Sequence, residues 1–177
     1  MSIRHHEIPS HWNYFLCIEK DIERLSRYIE FSEANEKVYS IELARLLMTA
    51  SAEADVIVKA LCRAINPNSS ATSINAYQIE LLAAFPMLPS AEVSLPRYGL
   101  TFHPWTNWKD DKNPPAWWTG NKKVKHHRSE KFTEANLKNV LNSVAALLAL
   151  LLLFYDSKQH TIYPLVLPDG VNVPWCR

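Results

Sequence analysis

The sequence predicts an all-α fold, an up-and-down bundle of four to five helices with one irregular insertion rich in proline and tryptophan. Apolar side chains recur at spacings of three and four over long stretches, which is the period of an amphipathic helix. Only three glycines occur against eleven prolines, which disfavours a turn-rich all-β fold and a glycine-built phosphate loop. We therefore expect residues 1–177 to form one helical domain that buries its core without disulfides or metal.

The first helix is predicted to run from Ser10, a residue type that caps helix N-termini, to about Glu33. Charged residues occupy one side of this segment, so that side is expected to contact water. The opposite side is an apolar stripe with helical spacing, which consists of Phe15, Ile18, Ile22, Leu25 and Ile29.

A second, longer helix is predicted to begin between Asn35 and Ser40. It is expected to stop at Asn66, because a residue that precedes proline is pushed out of the α region. Glu53 borders its apolar stripe, where the carboxylate can pair with a basic residue of the last helix, orient a histidine or simply face solvent. The stripe itself consists of Tyr39, Leu43, Leu46, Leu47, Ala50, Ala54, Ile57, Leu61 and Ile65.

A short third helix is expected from a cap at Ser73 to about Phe85. Residues 86–115 are predicted to form the irregular insertion, because six prolines in this stretch break any helix. A small β-hairpin can form within it from residues 93–95 and 100–102. Two tryptophans near its end indicate that the insertion packs on itself.

Two further helices are predicted in the last third of the chain. Tandem prolines suit a helix start, so one helix is expected from Ala116 to about Arg128, and Thr133 can cap a final helix through Tyr155. Residues 144–155 are all apolar, but this run is shorter than the roughly 20 residues that span a membrane. We interpret it as a buried core helix without membrane association, and residues 159–177 as an extended C-terminal tail.

Composition limits the kinds of function that are expected. The net charge is +1, so nucleic-acid binding would have to come from a local patch. The three cysteines are far apart, and the N-terminus lacks the apolar core of a signal peptide, so we expect a cytoplasmic protein with reduced thiols. Zinc-site spacing and a G-x-S-x-G nucleophile motif are both missing from the sequence, and we expect neither a metal nor a cofactor.

Basic charge is concentrated in residues 121–131, NKKVKHHRSEK, which hold five Lys or Arg, two histidines and one acid. On a helix, Trp118, Lys122 and His126 would share one stripe, because they are four residues apart. A base can stack on an indole, phosphates can lie on the cations, and a histidine can move protons. The candidate nucleic-acid-binding residues are Lys123, Lys125, His127, Trp117, Trp118 and Lys131.

Two structural interpretations compete with this hypothesis. Clustered basic residues often form nothing more than a solvated helix face, and tryptophans near prolines often pack a loop against a helix. The two histidines, His126 and His127, are about 100° apart on a helix, so we expect one to face the core and the other to face solvent.

The pattern N-x-K-V-K-H-x-R, then F-x-x-A-N-L and a leucine-rich helix, resembles uncharacterised bacterial and phage proteins of the HEPN kind. This resemblance implies a bundle of four or five helices. Many members are metal-independent ribonucleases of toxin–antitoxin or anti-phage systems, and many act as dimers. The family's motif has an arginine four to six residues before its histidine. Here Asn121 stands five before His126, and Lys122 five before His127. The resemblance rests on Asn121, Lys123, Val124, Lys125, His126, Arg128, Phe132, Ala135, Asn136 and Leu137.

The resemblance implies a catalytic set of His126, Lys122, Arg128 and Asn121. His126 would take the proton of a 2′-hydroxyl, a cation would stabilise the phosphorane, and Asn121 would orient the phosphate or the imidazole. RNA is the expected ligand because its 2′-hydroxyl is the nucleophile, and a homodimer and an antitoxin or other protein are the expected partners. The alternative is a non-catalytic bundle that binds nucleic acid, a nucleotide or a protein.

Overall fold

The structure is a computed structural model that describes residues 9–109, 113–158 and 172–174. Over these residues it is mainly helical with a small sheet, which confirms the predicted fold class. The helices are α1 (Ser10–Leu25), α2 (Ile41–Ile65), α3 (Ile74–Ala84), α4 (Ala116–His126), α5 (Arg128–Lys131) and α6 (Leu137–Lys158). The strands are β1 (Glu92–Leu95), β2 (Leu100–Phe102) and β3 (Asn172–Pro174).

The first two helices of the bundle run antiparallel, as two polar contacts between them show. His11, near the start of α1, contacts Glu53 in the middle of α2. Asp21, three turns later in α1, contacts Arg45 near the start of α2. The order of contacts is therefore reversed between the helices, as in an up-and-down hairpin.

The directions of the other two bundle helices follow from contacts at the start of α6. The backbone N–H of Leu137 donates to the carbonyl of Val38 just before α2 (2.9 Å), so α2 and α6 begin at the same end and run parallel. Lys123, near the end of α4, pairs with Glu134 just before α6. α4 therefore runs antiparallel to α6, and this arrangement brings the end of α4 close to the starts of α2 and α6.

Helices α2 and α6 form the centre of the core. The predicted α2 stripe is buried from Leu43 to Leu61, and α6 buries most of its apolar residues on all sides. Residues 137–157 have a mean hydropathy of 2.0 and are long and apolar enough to cross a membrane, yet 78% of the tested window is buried inside the fold. Burial of this kind is typical of a core helix surrounded by other helices, and the expected absence of membrane association stays a prediction.

Two of the predicted helix starts are confirmed. The hydroxyl of Ser40 accepts a hydrogen bond from the backbone N–H of Leu43 (3.1 Å), and the hydroxyl of Ser73 accepts one from Ala76 (3.3 Å). Each serine thus satisfies one of the backbone donors that have no partner within the first turn. The stop before proline 67 is confirmed as well, because α2 ends at Ile65.

The first helix begins at Ser10 as predicted, but the predicted capping role of Ser10 and the predicted end at Glu33 were wrong. Pro9 precedes α1, and Ser10 lies inside the helix without a capping hydrogen bond from its side chain. The helix ends at Leu25 instead of continuing to Glu33, because the chain turns there and buries Phe31. The Phe31 ring packs 4.9 Å from that of Tyr98 in the insertion.

The predicted start of the last helix was also wrong. Thr133 lies in a 3₁₀ turn, and α6 begins at Leu137. Asn136 organises this start, because its side-chain oxygen accepts the N–H of Asn139 (2.9 Å) and its amide donates to the Thr133 carbonyl (2.9 Å). An asparagine therefore takes the capping position that the sequence suggested for the threonine.

The predicted hairpin is confirmed within the insertion. β1 and β2 pair antiparallel, with Val93 opposite Phe102, and Gly99 adopts a positive φ of 63° in the turn between them. Glycine tolerates this conformation without steric cost. β3 pairs parallel with β1. Except for β3, the expected C-terminal tail lies outside the described residues.

Candidate nucleic-acid interface

The basic segment, defined here as residues 121–131, begins on α4. This helix starts directly after Pro115, as predicted, and ends at His126. Trp117, Gly120 and Val124 recur at helical spacing and are buried, so they hold one face of α4 against the bundle. The opposite face is exposed and carries Lys122, Lys125 and His126.

The buried face of α4 lies very close to α6. A Cβ atom added to Gly120 would be only 2.5 Å from Nδ2 of Asn139. The Asn139 side chain is itself buried and donates to the backbone carbonyl of Glu134 (2.9 Å). The close approach therefore depends on glycine and fixes the position of the basic segment relative to α6.

Most of the predicted basic residues do face solvent. Residues 125–131 are all exposed, and Lys122 is exposed one helical turn earlier. Within the part of the chain that the structure describes, no ion pair engages Lys122, Lys125 or Lys131. Their ammonium groups are therefore available to an external anion.

Both histidines are exposed, so the prediction that one of them faces the core was wrong. His126 is the last residue of α4. His127 has left the helix, with φ −136° and ψ 40°, and begins the turn into α5. The 100° separation of consecutive helical residues does not apply across this turn.

Lys123 differs from its neighbours because it is only half-buried and already paired. Its ammonium lies 2.6 Å from the carboxylate of Glu134. The other oxygen of that carboxylate lies 3.3 Å from the amide nitrogen of Asn139. Lys123 thus stabilises the junction between α4 and α6, and its ammonium would have to leave or share Glu134 to serve in the predicted binding of nucleic acid.

The predicted stacking role of Trp117 is wrong, because its side chain is 1% exposed. Its indole N–H donates to the carbonyl of Pro104 (2.9 Å), and the ring packs edge-on against Trp105 at 5.4 Å. Trp105 and Trp108 are buried too, with ring centroids 4.5 Å apart. The indoles therefore join the insertion to α4, as the packing interpretation predicted. Trp118 is partly exposed and packs against Trp117.

The structure shows no hydrogen bond between Asn121 and the imidazole of His126 among the described residues, and the predicted orienting role of Asn121 toward a phosphate stays a prediction. Its side-chain oxygen is buried and accepts no hydrogen bond within the described residues. The side-chain oxygen of Asn121 therefore lies on the side of α4 that faces the interior of the fold.

The second half of the basic segment lies against the start of α2. The guanidinium of Arg128 contacts the sulfur of Met48 on α2 (3.6 Å). The ring of Phe132, directly after the segment, packs edge-on against that of Tyr39 with centroids 5.7 Å apart and an interplanar angle of 84°. The segment therefore crosses from α4 to α2 and comes close to an aromatic side chain.

Sequence reasoning missed the exposure of Tyr39. Its spacing to Leu43 suggested the first core position of the second helix, but Tyr39 precedes the cap residue Ser40 and is 50% exposed. Asn136 pairs with it in an isolated antiparallel β-bridge, which holds the backbone here extended. An aromatic residue one position before a serine cap is the signal that could have placed it outside the helix.

A second group of polar side chains joins α1 and α2. The Nδ1 atom of His11 lies 2.6 Å from a carboxylate oxygen of Glu53, and the imidazole packs edge-on against Phe154 of α6. Glu53 thus orients a histidine, which is one of the three roles considered for it, but the histidine comes from α1. No group of three side chains suited to holding a metal occurs among the residues described.

Comparison of the chain with protein-family models, curated proteins and solved structures finds no match. The chemistry and placement of the basic segment are therefore the basis for a proposed function.

Proposed function

We propose that this protein is an RNA-directed module of HEPN type, which binds RNA along the exposed side of the basic segment. The observation that carries the proposal is the exposed run of residues 125–131 together with Lys122. Four cations face solvent in this short stretch, although the whole chain has a net charge of only +1. Such a local concentration of charge attracts a phosphate backbone to one face of a nearly neutral protein.

The proposed contacts are mainly electrostatic. Lys122, Lys125, Arg128 and Lys131 would each neutralise a phosphate and release its condensed counterions. Binding should therefore weaken with salt, with a slope of log affinity against log salt of about −0.7 for each phosphate contacted on a single strand. Lys123 would contribute less, because Glu134 already holds its ammonium.

The first experiment measures binding of a fluorescent single-stranded RNA between about 50 and 200 mM salt. The test variant combines Lys122→Ala with Lys125→Ala. The control combines Lys20→Ala with Arg27→Ala, which removes one exposed cation from α1 and one from the turn just after it, and changes the net charge equally. We expect weaker binding and a shallower salt slope in the test variant alone. An equal loss in both, or no binding by the unmodified protein, would contradict the proposal.

A finer proposal is that the module cleaves RNA without metal, as a homodimeric ribonuclease of a toxin or anti-phage system. It is supported by the exposed imidazole of His126, one helical turn after Lys122. His126 would accept the 2′-hydroxyl proton while that oxygen attacks the adjacent phosphate. The 5′-oxygen of the next nucleotide would leave with a proton from a second acid, which a dimer partner could supply. Lys122 or Arg128 would stabilise the added negative charge.

The cleavage proposal is tested with chelator present, by following RNA fragments that end in a 2′,3′-cyclic phosphate. We expect His126→Ala to abolish cleavage while RNA is still retained and circular dichroism is unchanged. His103→Ala, which removes an exposed imidazole outside the basic segment, is the matched control and should keep most of the activity. RNA binding by the unmodified protein without any cleavage would instead support the non-catalytic alternative.

A further inference from the structure

We infer that the RNA is held as an unpaired strand and that Tyr39 stacks on one of its bases. This inference rests on the proposed RNA binding and adds to it the class of substrate and a second binding group. It depends on where the structure places the aromatic side chains relative to the cations of the basic segment.

Tyr39 is held at the surface by neighbours on both sides. Its side chain is 50% exposed, and the edge-on contact with Phe132 supports one side of its ring. Its backbone is fixed by the bridge to Asn136 and by the adjacent hydrogen bond from Leu137 to Val38. A supported ring loses little conformational freedom when a base stacks on it.

Two segments of the chain carry an exposed cation within two residues of Tyr39 or of the Phe132 that contacts it. Lys131 is exposed and immediately precedes Phe132, the residue that contacts Tyr39. Lys37 is exposed two residues before Tyr39. Ile41, 82% exposed, adds apolar surface next to the ring. Single-stranded RNA presents phosphates and apolar base faces together, which matches a surface where cations and an aromatic ring are neighbours.

The tryptophans near the basic segment cannot supply the same contact equally well. Trp105, Trp108 and Trp117 are buried in the junction between the insertion and α4. Trp118 is partly exposed, but its ring packs against Trp117. Tyr39 is therefore the more open aromatic platform beside the cations.

Stacking of a base on Tyr39 requires that the RNA strand be unpaired. In a duplex each base already stacks on its neighbours, and the grooves of A-form RNA present edges instead of faces. A side chain that binds through a base face therefore selects loops, bulges and single strands. Cations alone would bind duplex and single strand with much less discrimination.

The experiment compares the affinity of Tyr39→Ala, Tyr39→Phe and the unmodified protein for a single-stranded RNA and for its duplex. Loss of stacking should weaken binding of the single strand by roughly 5- to 150-fold in Tyr39→Ala, whereas Tyr39→Phe should stay near the unmodified affinity. The salt slope should not change, because the ring carries no charge. Tyr14→Ala is the matched control, a tyrosine of similar exposure (46%) on α1.

The outcomes separate this inference from the proposed function. Unchanged affinity in Tyr39→Ala, with weaker binding still seen in the Lys122→Ala/Lys125→Ala variant, would overturn the inference and leave RNA binding in place. Equal affinity of the unmodified protein for duplex and single strand would also overturn it. No RNA binding by the unmodified protein would overturn both. Circular dichroism on each variant, and the rescue expected in Tyr39→Phe, distinguish lost stacking from lost folding.

Discussion

Lys123 and Glu134 form an ion pair at 2.6 Å that ties the end of α4 to the turn before α6. Lys122, the adjacent residue, is exposed on the other side of the same helix and has no such partner among the described residues. Two neighbouring lysines therefore have different surroundings, one at a structural junction and one on the candidate binding face. Helical geometry causes the separation, because consecutive residues point about 100° apart.

Substitution of Lys123 should mainly change the stability of the fold, and substitution of Lys122 should mainly change RNA binding. Lys123→Met removes a partly exposed ion pair, so we expect the free energy of unfolding to fall by about 0.5–1 kcal/mol with little change in the salt slope of RNA binding. Lys122→Met should leave stability nearly unchanged and reduce that slope by about 0.7. Urea unfolding and fluorescence anisotropy measure the two quantities. If the two variants showed the same change in unfolding free energy and the same change in salt slope, the separate roles of Lys122 and Lys123 would be contradicted.

Gly120→Ala should destabilise the protein even though alanine is the better helix former. The new methyl group would meet Nδ2 of Asn139 at 2.5 Å, so the amide must move and break its bond to the Glu134 carbonyl. A buried polar group without a partner costs about 1–3 kcal/mol, which equals or exceeds the helix-propensity gain of about 1 kcal/mol. Urea unfolding measures the result.

The background Asn139→Ala provides the control for this effect. Without the asparagine side chain the added methyl has space, so Gly120→Ala should cost much less there than in the unmodified protein. Additive effects of the two substitutions would show that Asn139 is not the obstacle.

Local signals in the sequence were sufficient for several features, although the caps expected at Ser10 and Thr133 did not form. Ser40 and Ser73 each precede an apolar periodic segment, and each caps its helix. The stop of α2 before proline 67 and the turn at Gly99 follow from backbone constraints of the same local kind. These features could be predicted because they need no information about distant residues.

Features that depend on tertiary contacts could not be predicted in this way. Trp117 looked like a binding residue because it is adjacent to lysines, yet the distant carbonyl of Pro104 accepts its N–H inside the core. Tyr39 has the spacing of a core residue and is exposed, because Phe132 and Asn136 hold it in an extended segment. The basic segment is largely exposed, as the sequence predicted, but its aromatic neighbour comes from a part of the chain some ninety residues earlier.

Substitutions at Ser40 and Ser10 test which of these serines caps its helix. Ser40→Ala removes the acceptor for the Leu43 N–H, so we expect a loss of about 1 kcal/mol in the free energy of unfolding. Ser40→Asp keeps an acceptor and should restore most of it. Ser10→Ala should change stability little, because Ser10 makes no capping bond. A similar loss from Ser10→Ala would restore the cap that the sequence suggested.

The cysteines should differ in reactivity toward alkylating reagents. Burial, together with the nearby Glu80 carboxylate, raises the pKa of the Cys62 thiol to about 12, whereas Cys17 is exposed. The thiolate is the reactive form, so iodoacetamide at pH 8 should modify Cys17 well before Cys62. Peptide mass spectrometry follows both sites, and the difference should disappear in denaturant. Equal rates in the folded protein would show that Cys62 is accessible.

The raised pKa of the Cys62 thiol predicts that the folded protein loses stability at high pH. The ordinary pKa of a cysteine thiol is 9.0, so the unfolded chain loses this proton near pH 9 while the folded protein keeps it until about pH 12. The contribution of Cys62 is therefore fully present below pH 9 and is lost progressively as pH rises toward 12. Urea unfolding at pH 8 and pH 10 should show a larger decrease for the unmodified protein than for Cys62→Ala. Because all other alkaline titrations are common to both proteins, equal decreases would mean that the folded state does not hold this proton more strongly.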